Sequence, residues 1–194
     1  YMGAGQQEKV NHVAAQTMLM VTITASVLGL IGYTLSPYFL TLLGVDEVVY
    51  NDALKFMHVS FIGVVFVFIY AMFQALMRGI GQTKVPLIIV SCTVLLNFVL
   101  DPLFIFGFGD FKGYGVMGAA LATLVTQSLA ALTGVIIFMR GRHGIQLSLS
   151  SFIPDLAYIK QAFILGAPGS VELSTRAFGL IIMSFLVASF GTQT

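Results

Sequence analysis

Three polar side chains recur every four residues inside a long apolar stretch, at Thr93, Asn97 and Asp101. In an α-helix this spacing places them on one face, over about 12 Å along the axis. A carboxylate at membrane depth costs about 2.5–3.5 kcal/mol on insertion scales, so we expect Asp101 to face protein or a wet cavity. Pro102 follows directly, and because it lacks a backbone N–H it should leave the carbonyl oxygen of Phe98 free beside the carboxylate.

This group of oxygen atoms is suited to a small, hard cation. Carboxylate, carboxamide and carbonyl oxygens are the ligands that such ions prefer, so Asp101 and Asn97 are candidate metal ligands for Na⁺. Alternatively, the Asp101 carboxyl alone takes up and releases a proton. Two structural interpretations stay open. In the first, Asp101 reaches the membrane interface or pairs with a basic residue. In the second, Asn97 and Thr93 only form hydrogen bonds between helices.

Two further pairs of polar residues are spaced four apart in apolar segments. Thr123 and Gln127 either line the same cavity or hydrogen-bond to a neighbouring helix. Glu172 and Arg176 have opposite charges, and their spacing favours a pair that neutralises itself. Pro168, flanked by glycines, predicts a kink or a break in that helix, a feature that transporters use near binding sites.

One four-residue pattern points instead to an enzyme. Gly107-Phe108-Gly109-Asp110 resembles the GxGD signature of intramembrane aspartyl proteases, which need a second aspartate to share a proton. Here Asp110 falls in a glycine-rich turn, and the possible partner Asp101 lies near the end of the same helix. The sequence has one cysteine, no clustered histidines and no nucleotide-binding motif. We therefore predict a protein that is not an enzyme and uses no cofactor other than a cation.

Long apolar runs must position these residues. The 194-residue sequence is 58% hydrophobic and 9% charged, whereas soluble domains carry roughly 25% charged residues. The runs are long enough to cross about 30 Å of hydrocarbon as helices. We predict an all-α membrane protein, a polytopic bundle of transmembrane helices. Its five spans lie between Lys9 and Asp46, with a kink or an end at Ser36-Pro37, and at 58–77, 86–106, 116–139 and 162–188.

The charges of the connections indicate the orientation. One side carries Lys9, Arg78, Lys84, Arg140, Arg142 and Lys160, whereas the other carries only Lys55 and Lys112. Because cytoplasmic loops are enriched in lysine and arginine, loops 78–84 and 140–160 are predicted to be cytoplasmic in a multi-pass protein of the plasma or inner membrane. The net charge of +1 is small and no basic stripe is present, so a nucleic-acid partner is not expected.

Several segments, in order, resemble the multidrug and toxic compound extrusion (MATE) family. They are RGIGQTKVPL, NFVLDPLFIFG and GVMGAALAT, flanked by GAGQQEKV, LLGVDEVVYNDALKFM and LGAPGSVELS. The resemblance implies twelve helices in two six-helix lobes. Residues 1–150 would then supply a cytoplasmic loop and four spans of the first lobe, and residues 151–194 the start of the second. The chain begins at Tyr1 and is expected to be part of a longer one, whose remaining helices complete the site.

The resemblance also implies a function. Family members export cationic or amphipathic small molecules by antiport with Na⁺ or H⁺, through alternating access of the two lobes. By this resemblance Asp101 binds the coupling ion, Asn97 orients it or shares in its ligation, and Thr123 supports the cavity. Glu172 is a further acidic candidate, although its spacing from Pro168 departs from the family pattern.

Two alternatives differ from drug export in their substrate or in their functional class. A lipid-linked oligosaccharide flippase or polysaccharide exporter of the same superfamily tends to line its lobe with cationic residues, and the first four spans contain no lysine or arginine. A purely structural membrane subunit would not need the polar stripe of Thr93, Asn97 and Asp101. The expected partners are therefore the lipid bilayer and small molecules.

Overall fold

The five predicted spans correspond to five α-helices. The computed structural model describes residues 6–109, 111–141, 143–147 and 152–189. The helices are α1 Gln7–Leu42, α2 Glu47–Gly79, α3 Lys84–Phe106, α4 Val116–Arg140 and α5 Leu156–Ser189, and two short strands, β1 Gly107–Phe108 and β2 Phe111–Lys112, pair antiparallel between α3 and α4. Within the described residues, α1 to α4 are each long and apolar enough to span a membrane. The predicted fold class is confirmed.

Helix α2 begins earlier than the sequence suggested. The predicted span began at residue 58, whereas α2 begins at Glu47, so most of the segment VDEVVYND forms its first turns. Asp46 caps this helix, because its carboxylate accepts a hydrogen bond of 3.0 Å from the backbone N–H of Val48. Charged residues ended the predicted span there, whereas a helix can continue beyond the hydrocarbon into the polar interface.

The predicted interruptions at two prolines do not end their helices. Helix α1 continues through Pro37 to Leu42, and α5 contains Pro168 and extends to Ser189. The Ser36 hydroxyl donates to the carbonyl oxygen of Gly32 at 2.7 Å, which adds a bond to the helix next to the proline. A transmembrane helix tolerates a proline where side chains and neighbouring helices satisfy the freed backbone groups.

Residues 1–153 and 154–194 form two separate compact units. The predicted division at 150/151 lies close to this boundary, and its assignment to two lobes stays a prediction. In the first unit α1 packs on α2, α2 on α4, and α4 on α3. We name the end of this bundle that carries Lys9, Arg78 and Arg140 the basic end. Its core contains large buried side chains, among them Met18, Tyr70, Phe73, Met77 and Phe138.

Small residues bring the helices together in the half of the bundle away from the basic end. An added Cβ on Gly29 would lie 2.8 Å from the backbone oxygen of Phe61, so α1 and α2 approach each other closely there. Gly118 of α4 contacts the backbone of Phe104 in α3 in the same way. Gly118 and Ala122, spaced four residues apart on α4, are both buried, as is typical of small residues where helices pack closely.

Candidate functional site

The polar stripe of α3 lies on the side of the helix that is partly covered by protein. Thr93, Asn97 and Asp101 are half-buried, whereas Leu95 on the opposite side of the helix exposes 69% of its surface. Helix α3 makes most of its contacts with α4. The three residues therefore share one partly covered side of α3, and Asp101 lies at the edge of that side, next to exposed Phe98.

Two of the three residues are joined directly. The Asn97 Nδ2 donates to Asp101 Oδ1 at 3.4 Å, a long bond that leaves the Asn97 Oδ1 free to accept. Thr93 is committed to its own helix, since its hydroxyl donates to the carbonyl oxygens of Ile89 and Val90 at 3.0 and 3.1 Å. The site is therefore the pair Asn97 and Asp101, and Thr93 lies one turn away.

The proline next to this pair leaves an additional oxygen atom available. Pro102 lies inside α3, which continues to Phe106, so the carbonyl of Phe98 receives no hydrogen bond from residue 102. A carboxylate, a carboxamide oxygen and a carbonyl oxygen then occur within one turn of a single helix. In the described part of the chain, Asp101 forms no ion pair with a lysine or arginine.

Thr123 and Gln127 line a different depression. A groove of about 340 Å³ lies between α2 and α4, with Thr123, Gln127 and Ser60 on its wall beside apolar residues such as Phe56 and Val67. Neither Asn97 nor Asp101 lines this groove. Ser60 was not predicted, because a lone serine in an apolar helix gives no signal of the neighbour it will face. The structure thus places the predicted residues at two different positions: Asn97 and Asp101 on α3, and Thr123 and Gln127 in the groove between α2 and α4.

No described residues form a protein-only metal centre. Groups of three or more histidine, cysteine, aspartate or glutamate side chains are absent from the described chain. Asp101 and Asn97 fit a weakly held monovalent ion or a proton, because a tightly bound divalent ion requires more carboxylates and oxygen ligands. Further ligands would come from water or from residues other than these two.

Glu172 forms the ion pair that its spacing predicted. Arg176 Nη2 lies 2.9 Å from Glu172 Oε1, and both side chains are exposed in α5. Asp110, the residue of the protease-like pattern, lies outside the described residues. Gly107–Phe108 and Phe111–Lys112 pair antiparallel.

Comparisons with known proteins agree on one family. A family model described as MatE matches residues 1–103. A probable multidrug resistance protein NorM from Geobacillus kaustophilus is 25% identical over 198 residues, covering 100% of this chain and 43% of that protein. A probable multidrug resistance protein YpnP from Bacillus subtilis is 30% identical over 167 residues, covering 84% of this chain and 35% of that protein. The chain therefore spans less than half the length of these relatives.

The fold is shared with solved structures. The outward-facing conformation of a multidrug resistance MATE family transporter of the MOP superfamily superimposes with a TM-score of 0.84. The two sequences are 21% identical, and the match covers 97% of this chain and 41% of that one. At this identity the likeness shows a common helical fold.

Proposed function

Because this chain belongs to the MatE family, we propose that it forms part of a secondary active transporter that exports cationic or amphipathic small molecules in exchange for Na⁺ or H⁺. The sequence resemblance to the family is confirmed, and the chain is part of an integral membrane protein. The relatives are named for multidrug resistance, which supports multidrug efflux as the activity. The remaining helices of a longer chain would complete the transport pathway.

The observation that carries the proposal is the joined pair Asn97 and Asp101. A carboxylate held within a transmembrane helix is costly unless it is solvated or bound to a cation, and Asp101 lies on the half-buried face without a basic partner in the described chain. Asp101 binds and releases the coupling ion, and Asn97 orients the carboxylate through its amide hydrogen. Binding or release of the ion changes the net charge on this side of α3. Such a change can shift the equilibrium between two conformations of the helix bundle.

The groove between α2 and α4 supports the proposed class of substrate. Its apolar wall suits an aromatic or aliphatic body, and Ser60, Thr123 and Gln127 can bind hydrogen-bonding groups. Among the described residues that line the groove, none is charged. We assign Thr123 and Gln127 to this cavity.

We propose that the basic end faces the cytoplasm. Lys9, Arg78, Lys84 and Arg140 cluster at the helix ends there, whereas Asp46, Glu47 and Asp52 lie at the opposite end. This asymmetry follows the preference of cytoplasmic loops for lysine and arginine. Asp101 then lies in the outer half of the membrane, on the side from which coupling ions enter the cell.

Transport in liposomes tests the proposal. The protein, in the length that supports transport, would be reconstituted as wild type and as Asp101→Asn, and uptake or release of a cationic dye followed under a Na⁺ or a proton gradient. We expect one gradient to drive dye movement in the wild type and neither to drive it in Asp101→Asn. Asp52→Asn is the matched control, because Asp52 is exposed and pairs only with nearby Lys55 at 3.8 Å.

The outcomes separate the parts of the proposal. Normal gradient-driven transport by Asp101→Asn would contradict the role of Asp101 as the ion-binding residue. A wild type that moves no dye under either gradient would contradict drug export and would favour a flippase of the same superfamily.

A further inference from the structure

A short segment without regular secondary structure is buried at the basic end. Residues 144–147 follow α4, and Ile145 and Leu147 expose only 1% and 8% of their surface. Both side chains belong to the core cluster that also contains Val10 and Phe138. We name residues 144–147 the closing segment. Irregular backbone of this kind needs hydrogen-bond partners other than those of a helix or a strand.

Side chains of α1 supply those partners. The Gln7 carboxamide donates to the carbonyl oxygen of Gly144 at 2.6 Å, and the Asn11 Oδ1 accepts from the backbone N–H of Gln146 at 2.9 Å. These bonds connect residues more than a hundred positions apart in the sequence, so they fix the tertiary position of the segment. Both are exposed at the surface of the bundle.

The backbone of the closing segment also contacts α4. The backbone N–H of Leu147 donates to the carbonyl oxygen of Phe138 at 3.1 Å. Gly141 ends α4 in the left-handed conformation, with φ of 65°, and so turns the chain back towards the bundle. The segment is therefore attached to α4 by the chain itself, whereas its attachment to α1 consists of side-chain hydrogen bonds and the packing of Ile145.

Ile145 lines a crevice between the first two helices. A depression of about 200 Å³ is lined by Val10 and Val13 of α1, by Ala75, Leu76 and Gly79 of α2, by Ile80 and by Ile145. Withdrawal of Ile145 would enlarge this depression and expose the side of the core at the basic end. Exposed hydrogen bonds contribute little each, so the burial of Ile145 is the main further hold on α1, and a segment held in this way can open locally while the helices stay folded.

We propose that the closing segment is a releasable latch: Gln7 and Asn11 hold its main chain on α1, and its release withdraws Ile145 and opens the crevice between α1 and α2. This latch goes beyond the proposed function and does not depend on whether the protein exports drugs. In a transporter it would let the basic end of this unit open without unfolding a helix.

Thiol labelling measures the release. In bilayer discs, the protein with all other cysteines replaced by serine, including Cys92, would carry Ile145→Cys and be treated with a maleimide. We expect slow labelling that becomes about tenfold faster when Gln7→Leu and Asn11→Leu remove both bonds, since each bond shifts the equilibrium by a factor of roughly two to ten. Gln82→Leu is the matched control, because Gln82 is exposed at the same end, and it should leave the rate unchanged.

Hydrogen exchange gives a second measurement that leaves Ile145 intact. The amides of Gln146 and Leu147 should exchange faster in the Gln7→Leu, Asn11→Leu protein, while the amides in the middle of α1 and α4 keep the rates of the wild type. Unchanged labelling and exchange in that variant would overturn the proposal, because apolar packing alone would then hold the segment. Faster exchange throughout α1 to α4 would also overturn it, since the two residues would then serve folding rather than a local latch.

Discussion

The two halves of the α1–α4 unit are packed by different means. At the basic end large side chains such as Phe73, Met77 and Phe138 interdigitate and are fully buried. In the opposite half most buried positions are small, such as Gly29, Gly32 and Ala122, with Leu40 as an exception, and open grooves lie between the helices. Asn97, Asp101 and Thr123 lie towards this second half. The comparison indicates that interlocking large side chains stabilise one half, whereas the other half leaves open grooves between its helices.

The comparison predicts the largest loss of stability at the basic end. Phe73 is completely buried and its ring centre lies 4.9 Å from that of Phe138, so Phe73→Ala leaves a cavity. We expect it to lower the free energy of unfolding by about 3–5 kcal/mol, measured by titration of mixed micelles with a denaturing detergent. Phe98→Ala is the control at an exposed position and should change stability little. Equal losses in the two variants would show that the basic end is not the stable half.

Close contacts between helices in the opposite half predict a smaller loss of stability when a small residue there is enlarged. In Gly29→Ala the new methyl group meets a backbone oxygen of Phe61 that cannot rotate away, so α1 and α2 must separate. A loss of about 1–3 kcal/mol is expected in the same titration. Gly63→Ala meets only a methyl group of Leu124 at 3.7 Å and should be tolerated. If Gly29→Ala is as stable as Gly63→Ala, the close approach is not needed for packing.

A change in the groove should alter substrate recognition without altering ion coupling. Gln127→Leu removes a hydrogen-bonding group from the wall of the α2–α4 groove, and loss of one such bond corresponds to a few-fold rise in apparent KM for a hydrogen-bonding dye. The ion gradient that drives transport should stay the same. Thr133→Val is the control, because Thr133 is exposed on α4 and bonds to Leu129 of its own helix. An equal effect of both variants would place recognition elsewhere.

The smallest effect is expected from Glu172. Its partner Arg176 lies 2.9 Å away and both are exposed, so the pair contributes about 0–1 kcal/mol. Glu172→Gln should therefore change neither the unfolding titration beyond that range nor the dependence of transport on the ion. A loss of ion dependence as complete as that of Asp101→Asn would make Glu172 a second coupling residue.

The spans and the polar face of α3 could be predicted because they depend on local periodicity. Apolar runs gave the five helices, and the four-residue spacing of Asn97 and Asp101 placed them on one face. The start of α2 was predicted too late because Asp46 and Glu47 cap and begin that helix at the interface. Pro37 was expected to kink or end α1, but whether a neighbour satisfies the freed backbone cannot be deduced from one segment.

Contacts between distant residues could not be predicted. Ser60 shares a groove with Thr123 only because of the way in which α2 packs on α4, and packing registers are not encoded in the apolar pattern of either helix. The attachment of residues 144–147 to Asn11 is a hydrogen bond that the backbone N–H of Gln146 donates to the Asn11 side chain. A main-chain donor has no signature in the sequence. The long connection after α4 therefore gave no indication that its first part is buried.

Ion binding tests the central claim most directly, because it requires no transport. A ligand that binds only the folded protein raises its stability, by about 2.7 kcal/mol at a concentration one hundred times the Kd. We predict that Na⁺, compared with K⁺ at equal ionic strength, raises the Tm of the wild type and not that of Asp101→Asn. If H⁺ is the coupling ion, the difference between the two proteins will appear as a dependence of Tm on pH. An Asp101→Asn protein that responds to both Na⁺ and pH as the wild type does would contradict the assignment of Asp101 as the ion-binding residue.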